Sequence, residues 1–346
     1  MIWLTWRQFR IQAAVVSALV AAFGILFLVT GPHLVTLYRD SALAACRSNC
    51  GQDANNFLNS LSNIAPYHLV YLLGALLIVL LPAVIGLFWG APLVARELES
   101  GTFRLAWNQS VTRERWLAAK LGILGLAAMA VAGLFSLFLG WWASPIDHAD
   151  AIGASGGFQS RFFPLDFGTR GIVPIGYAAF AFALGVLVGL MIRRTIPAMG
   201  VTLAVIAAVQ IAFPLVVRPH LITPVRDTTA VTPSVIQGLG INGSGNQMSV
   251  FAAAPNLPGA WIYSNEVVTA SGSTSLGSIP QACQPQQAQG FQACANALAQ
   301  MNLKQVVVYQ PADRYWTFQW LELGIFLTVA VLLAWGCFWW VRRRLS

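Results

Sequence analysis

Six mostly apolar stretches, each about twenty residues long, constrain this chain more than any other feature. They fall near 13–30, 68–92, 121–142, 171–192, 196–217 and 317–341. Each is long enough to cross roughly 30 Å of hydrocarbon as a helix, so the fold class expected is an all-α membrane protein with six transmembrane helices. Charge supports this. Only 9% of the 346 residues are charged, against about 25% in a soluble domain that must wet its surface.

Local signals place breaks within these stretches. Pro82 lies inside the second window and removes a backbone donor, which predicts a kink. The fourth and fifth windows are separated only by Arg193, Arg194 and Thr195, which predicts a tight hairpin. Pro197 then sits in the first turn of the fifth helix, where its missing N–H is harmless.

The net charge of +8 could suggest a nucleic-acid partner. That reading needs a basic soluble face, and here the cations sit in short segments between apolar stretches, so no nucleic acid is expected. With the N-terminus inside, segments 1–12, 96–120, 193–195 and 342–346 carry 12 of the 20 Lys and Arg residues. The opposite segments 31–66, 144–170 and 218–314 carry 8, at about one-fifth the density per residue, which is the asymmetry of the positive-inside rule. A multi-pass protein with both termini in the cytoplasm follows.

The apolar run after Gln12 continues to Thr30 without a small-residue cleavage site, so it reads as a retained first span. Trp3, Trp6, Arg7, Phe9 and Arg10 precede it. They suit a short interfacial helix over 1–12, and equally an aromatic belt with a basic flank.

The segment 218–314, between the fifth and sixth helices, is rich in Gly, Ser, Pro, Asn and Gln. It reads as a small mixed α/β extracytoplasmic domain, with a strand at Val306–Tyr309 and a short helix over 291–302. Cys46, Cys50, Cys283 and Cys294 all fall in the outer segments, where thiols are not kept reduced. Four cysteines allow three pairings. The nearest-neighbour pairing closes the smallest loops and is favoured; a zinc site would lack a nearby histidine. Cys337, inside the sixth helix, reads as a small apolar residue.

No catalytic or metal-binding pattern is apparent. The only lysines, Lys120 and Lys304, stand outside any phosphate-binding loop, and no zinc-protease or nucleophile-elbow motif occurs. His33, His68, His148 and His220 are scattered near the outer boundary. The chain is therefore read as a non-enzyme without a cofactor of its own. Its most informative stretch is 96–120, where both signs of charge interleave with apolar residues and Thr112 is placed to cap a helix starting at Arg113.

That stretch, ARELESGTFRLAWNQSVTRERWLAAK, resembles the segment after the second span in permeases of ABC-type exporters of the type-two, ABCG-like superfamily. There a Glu-x-Ser-Gly-Thr-like element precedes a Ser-Arg or Thr-Arg pair and a later Lys. The opening MIWLTWRQFR and the ending through FWWVRRR resemble actinobacterial-type members, so the resemblance covers nearly the whole chain. The more usual Pro-x-Ser-Arg is Ser110-Val111-Thr112-Arg113 here, a departure that bears on the local turn.

The resemblance implies a permease in a bacterial plasma membrane, paired with a second copy as a homodimer. Two copies of a separate ABC ATPase subunit would bring ATP and Mg. Glu97, Glu99, Ser100, Gly101, Thr102 and Arg104 would dock that ATPase. The cargo would be an amphipathic or hydrophobic compound, such as a drug, lipid or peptide, moved outward in efflux.

Glu322 is the one carboxylate inside an apolar window, and intramembrane ionisable groups are candidates for function. It lies eight residues beyond Arg314, about 12 Å along a helix, and Gln210 lies eight residues before Arg218. A Gln210–Glu322 hydrogen bond is expected, either as part of a polar gate or as a structural link between helices. Two other function classes remain: a membrane-anchored sensor or assembly protein with a ligand-binding outer domain, and a stand-alone secondary carrier. A carrier should show several buried charges and interrupted helices.

Overall fold

A computed structural model describes residues 2–48, 50–101, 112–152, 158, 160–241, 248–255, 257–274, 276, 280–283 and 290–344. It divides into two compact units, Met1–Leu221 with Tyr315–Ser346, and Ile222–Arg314.

The first unit is a helical bundle. Among the described residues six helices are long and apolar enough to cross a membrane: Ala14–Asp40, Pro66–Ser100, Arg113–Trp142, Val173–Ile192, Thr195–His220 and Ala312–Arg344. These are the six expected spans, several of them longer than their apolar windows. A single helix covers Ile2–Asp40, so the separate segment expected over 1–12 is continuous with the first span. The third helix starts at Arg113 and the second span's helix runs on to Ser100, so both ends of the loop expected over 96–120 are helical, and 102–111 lie outside the described residues.

The fourth span is the centre of the bundle. It has 72% of its most apolar window buried, against 17–39% for the other five. A helix apolar all round needs either lipid or protein on every side, and here protein supplies most of that cover. Its contact with the second span is a meeting of backbones. An added Cβ at Gly185 would lie 2.5 Å from the Gly86 carbonyl oxygen, and one at Gly189 would lie 2.5 Å from that of Ala91. Gly185 meets Gly86 and Gly90, and Gly189 meets Ala91 and Ala95, so small residues spaced four apart line both helices and let them approach closely where no water drives them together. The second span has the predicted irregularity: after Pro82 its backbone becomes a π-helix over Ile85–Gly90. The first span joins the third, with Trp142 Nε1 donating to Thr30 Oγ1 at 2.9 Å.

The fourth and fifth spans form the expected hairpin. Arg193 turns the chain with φ 59, a left-handed residue closing the fourth helix. Because successive helices reverse direction, one end of the bundle gathers residues 91–101, 112–120, 193–195 and 342–344. This is the basic end. The other gathers 31–48, 50–65, 143–152, 160–172 and 218–221, and carries the Cys46–Cys50 disulfide. At this disulfide end, helix Gly51–Asn63 buries Phe57, Leu58 and Leu61.

The second unit is built on a three-stranded antiparallel sheet. β1 (Val225–Ala230) and β4 (Trp261–Val268) flank the central β5 (Lys304–Gln310), and β2 (Ile236–Ile241) pairs with β3 (Met248–Ala252). β5 contains the predicted Val306–Tyr309 strand. The predicted helix over 291–302 runs from Phe291 to Ala299. Leu298, Val250, Val267 and Leu303 share its small core, and Cys283–Cys294 pins the helix to the preceding turn. Gln305, buried on β5, donates to Asn265 Oδ1 and to the Ala253 carbonyl, so its amide is satisfied. Both disulfides follow the nearest-neighbour pairing.

Candidate coupling surface and buried ion pair

At the basic end, the second span finishes in helix Ala91–Ser100, closed by Gly101 at φ 72. Glycine suits that left-handed position because it has no Cβ to clash. The third span begins at Arg113, where Thr112 Oγ1 accepts from Arg115 N at 3.3 Å, the cap expected from sequence. Between them, Thr102 and Arg104 lie outside the described residues. The helical ends on either side are tied together: Lys120 Nζ meets Glu97 Oε1 at 2.5 Å and lies 4.5 Å from the centre of the Trp116 ring. Lys120 is almost wholly enclosed, so this charge needs its partner.

Glu99 makes a different connection. Its Oε2 accepts from both the backbone N and the Oγ1 of Thr195, at 3.0 and 2.8 Å. A carboxylate there satisfies a free N–H and faces the positive end of the fifth helix's dipole. The helix carrying the candidate coupling residues is thus attached to the first turn of the fifth span. Ser100 Oγ donates to the Glu97 carbonyl. Glu114 and Arg342 pair across the third and sixth spans at 2.7 Å, in the open, where such pairs contribute little.

Toward the disulfide end the bundle encloses a complete charge pair. Arg218 donates to Glu322 through Nε to Oε2 at 2.9 Å and through Nη2 to Oε1 at 3.0 Å. Neither side chain has any solvent exposure. Tyr177, on the central span, donates its hydroxyl to Glu322 Oε1 and accepts from Arg218 Nη2 at 3.3 Å. Arg218 Nη1 donates to the Pro164 carbonyl at 3.1 Å, and the guanidinium lies 4.2 Å from the centre of the Phe167 ring. Two ions leave water only where each finds such partners; a two-pronged Arg–carboxylate pair provides them.

This corrects the expected Gln210–Glu322 hydrogen bond. Gln210 Nε2 donates instead to the Val79 carbonyl on the second span, at 2.8 Å. The sequence argument aligned the two residues by counting inward from Arg218 and Arg314 as interfacial markers. Arg218 is itself drawn into the protein, and the helix runs past it to His220. The available signal was the unmatched Glu322, which required a cation close by.

A second polar cluster escaped the sequence analysis entirely. Tyr71 donates to Asp166 Oδ1 and accepts from Arg170 Nη2 at 2.8 Å, and Arg170 pairs with Asp147. Burial pushes the Asp166 carboxyl up to about 6, partly offset by the hydrogen bond from Tyr71. Asp150 is also raised by burial, against a lowering contribution from the Ser160 hydroxyl.

Six apolar helices, five of them arranged around an enclosed central span, with a buried ion pair among the last three, define a multi-pass α-helical membrane protein. Residues 17–218 match the family described as ABC-2 membrane transporter related, and the chain belongs to that family. The matched region takes in the first five spans and the Glu97–Lys120 and Glu99–Thr195 connections, and it ends on Arg218. No curated protein and no solved structure matches the chain.

Proposed function

We propose that this chain is the permease subunit of an ATP-driven ABC exporter, moving an amphipathic or hydrophobic compound outward across a bacterial plasma membrane. The family supplies the permease class. The observation that carries the rest is the attachment of Glu99 to Thr195. A partner pressing on the end of helix Ala91–Ser100 would move the fifth span with it. That span runs roughly 35 Å to Arg218, and so to Glu322 on the sixth.

In this reading the basic end faces the cytoplasm, consistent with the positive-inside asymmetry and with the Cys46–Cys50 disulfide at the opposite end of the bundle. The ATPase binds at residues 97–104, two permease copies pair, and ATP with Mg is held by the partner. Rocking of packed helices then opens the path alternately to each side.

Co-expression with the ABC ATPase encoded beside it, followed by purification through a tag on this chain, tests the reading. It requires the ATPase to co-purify with the wild type, and its ATP hydrolysis to be uncoupled from the permease by Glu99→Ala with Arg104→Ala. A folded chain that retains no ATPase would point to a sensor or assembly protein.

A further inference from the structure

The segment from Phe162 to Ile172 joins a short turn to the central fourth span; its backbone is mostly irregular, and Phe162, Asp166, Phe167, Thr169 and Arg170 along it are buried while Phe163 is exposed. Phe162, Phe167 and Thr169 have no exposure, and Arg170 almost none. Buried irregular backbone must find hydrogen bonds outside regular structure. Here the partners are side chains from the surrounding spans.

Gln319, on the sixth span, makes five hydrogen bonds, three of them to the backbone of this segment. Its Oε1 accepts from Ile172 N and Val173 N, at 2.9 and 3.0 Å, capping the central helix. Its Nε2 donates to the carbonyls of Phe167 and Arg170, at 3.2 and 3.1 Å, and to the Tyr315 hydroxyl. The fifth span adds Arg218, which holds the Pro164 carbonyl and the Phe167 ring. The third adds Ser136 Oγ, donating to the Gly171 carbonyl at 2.7 Å, and the second adds Tyr71. Gly171, at φ 75, packs so closely on Gln319 that a Cβ there would sit 2.6 Å from Oε1.

We infer that residues 162–172 form a plug closing the disulfide end of the bundle above the central helix, with Gln319 and Arg218 as the positioning residues that latch it. Non-helical backbone in membrane proteins is tolerated where it is buried in protein or lines a passage. A closure held by side chains of separate helices is released when those helices part, whereas a backbone ladder would not be. Arg218 contributes to both the latch and the Glu322 pair, so movement of the fifth span against the sixth loosens both together. Opening during ATP turnover rests on the permease reading; latching itself does not.

The test uses the full chain in lipid vesicles with Cys337→Ala and a reporter, Thr169→Cys, and measures the labelling rate with a charged, membrane-impermeant maleimide. Thr169 is enclosed, and cysteine is close to it in size. A second reporter, Ala178→Cys, sits equally enclosed on the central helix. Gln319→Leu, and separately Arg218→Lys with its charge retained, should speed labelling at position 169 by about tenfold or more through local opening, leaving position 178 unlabelled. Unchanged labelling at 169 in both variants, or a parallel rise at 169 and 178, would overturn the plug. Added ATPase subunit and ATP should produce the same selective rise in the wild-type latch. If only the substitutions do so, the plug stands and its coupling to ATP fails.

Discussion

Arg218 and Glu322 face each other through two near-parallel hydrogen bonds, of 2.9 and 3.0 Å, linking the fifth and sixth spans with no access to solvent. Pairing changes what substitution of Glu322 should do. Read from sequence, Glu322→Gln should leave assembly intact and reduce transport. With Arg218 enclosed beside it, the same change strands a buried cation and should reduce stability by about 3–5 kcal/mol. Replacing both residues together, Arg218→Met with Glu322→Leu, should recover most of that loss. Thermal unfolding in detergent compares the three; a fully stable single variant would contradict the pairing.

The close approach of the second and fourth spans makes a sharper steric prediction. Gly185→Ala places a methyl 2.5 Å from the Gly86 carbonyl and should lower the melting temperature and yield of monodisperse protein. Gly200→Ala, on the fifth span where nothing lies within 4 Å of the added carbon, should be neutral or slightly stabilising. Equal behaviour of the two would contradict the packing.

Lys120 and Glu97 form the enclosed tie at the basic end. Lys120→Met leaves a partly buried carboxylate and should cost about 2 kcal/mol, while Lys120→Met with Glu97→Gln should cost less. A double-substitution cycle on unfolding in detergent measures the difference, and strict additivity would show that the contact contributes nothing.

Asp166 gives a pH dependence with a definite sign. Its carboxyl in the folded protein is pushed up to about 6, above the unfolded value of about 3.9. The folded state therefore binds the proton more tightly, and stability from this group increases as pH falls through about 6. The melting temperature of wild type should rise relative to Asp166→Asn as pH falls from about 8 to about 5. A difference that stays constant, or reverses, would place Asp166 in an open, hydrated position.

Much of this architecture was legible because lipid imposes a simple length and polarity rule. The six spans, the Arg193–Thr195 hairpin, the disruption after Pro82, the Thr112 cap and the Val306–Tyr309 strand each rest on a local signal. Helix ends were less visible. Polar turns such as Arg113–Lys120 continue a helix once a cap and a partner such as Glu97 are present, and hydropathy does not register either. The plug was illegible for a different reason: Gln319, Ser136, Tyr71 and Arg170 are far apart in sequence, and each alone looks like an ordinary boundary residue. Only the fold brings them to one short segment.

The central claim is that ATP hydrolysed by a partner drives these helices through the end of helix Ala91–Ser100. The most direct measurement is ATP hydrolysis by the co-purified complex in lipid, with and without Glu99→Ala and Arg104→Ala. Glu99 is exposed, so losing its two hydrogen bonds to Thr195 should cost the isolated permease only a little stability and leave it folded. The account predicts that the wild-type complex hydrolyses ATP at a rate set by the permease, and that the double variant loses this control while still folding. Hydrolysis indifferent to the permease and to both substitutions would contradict it.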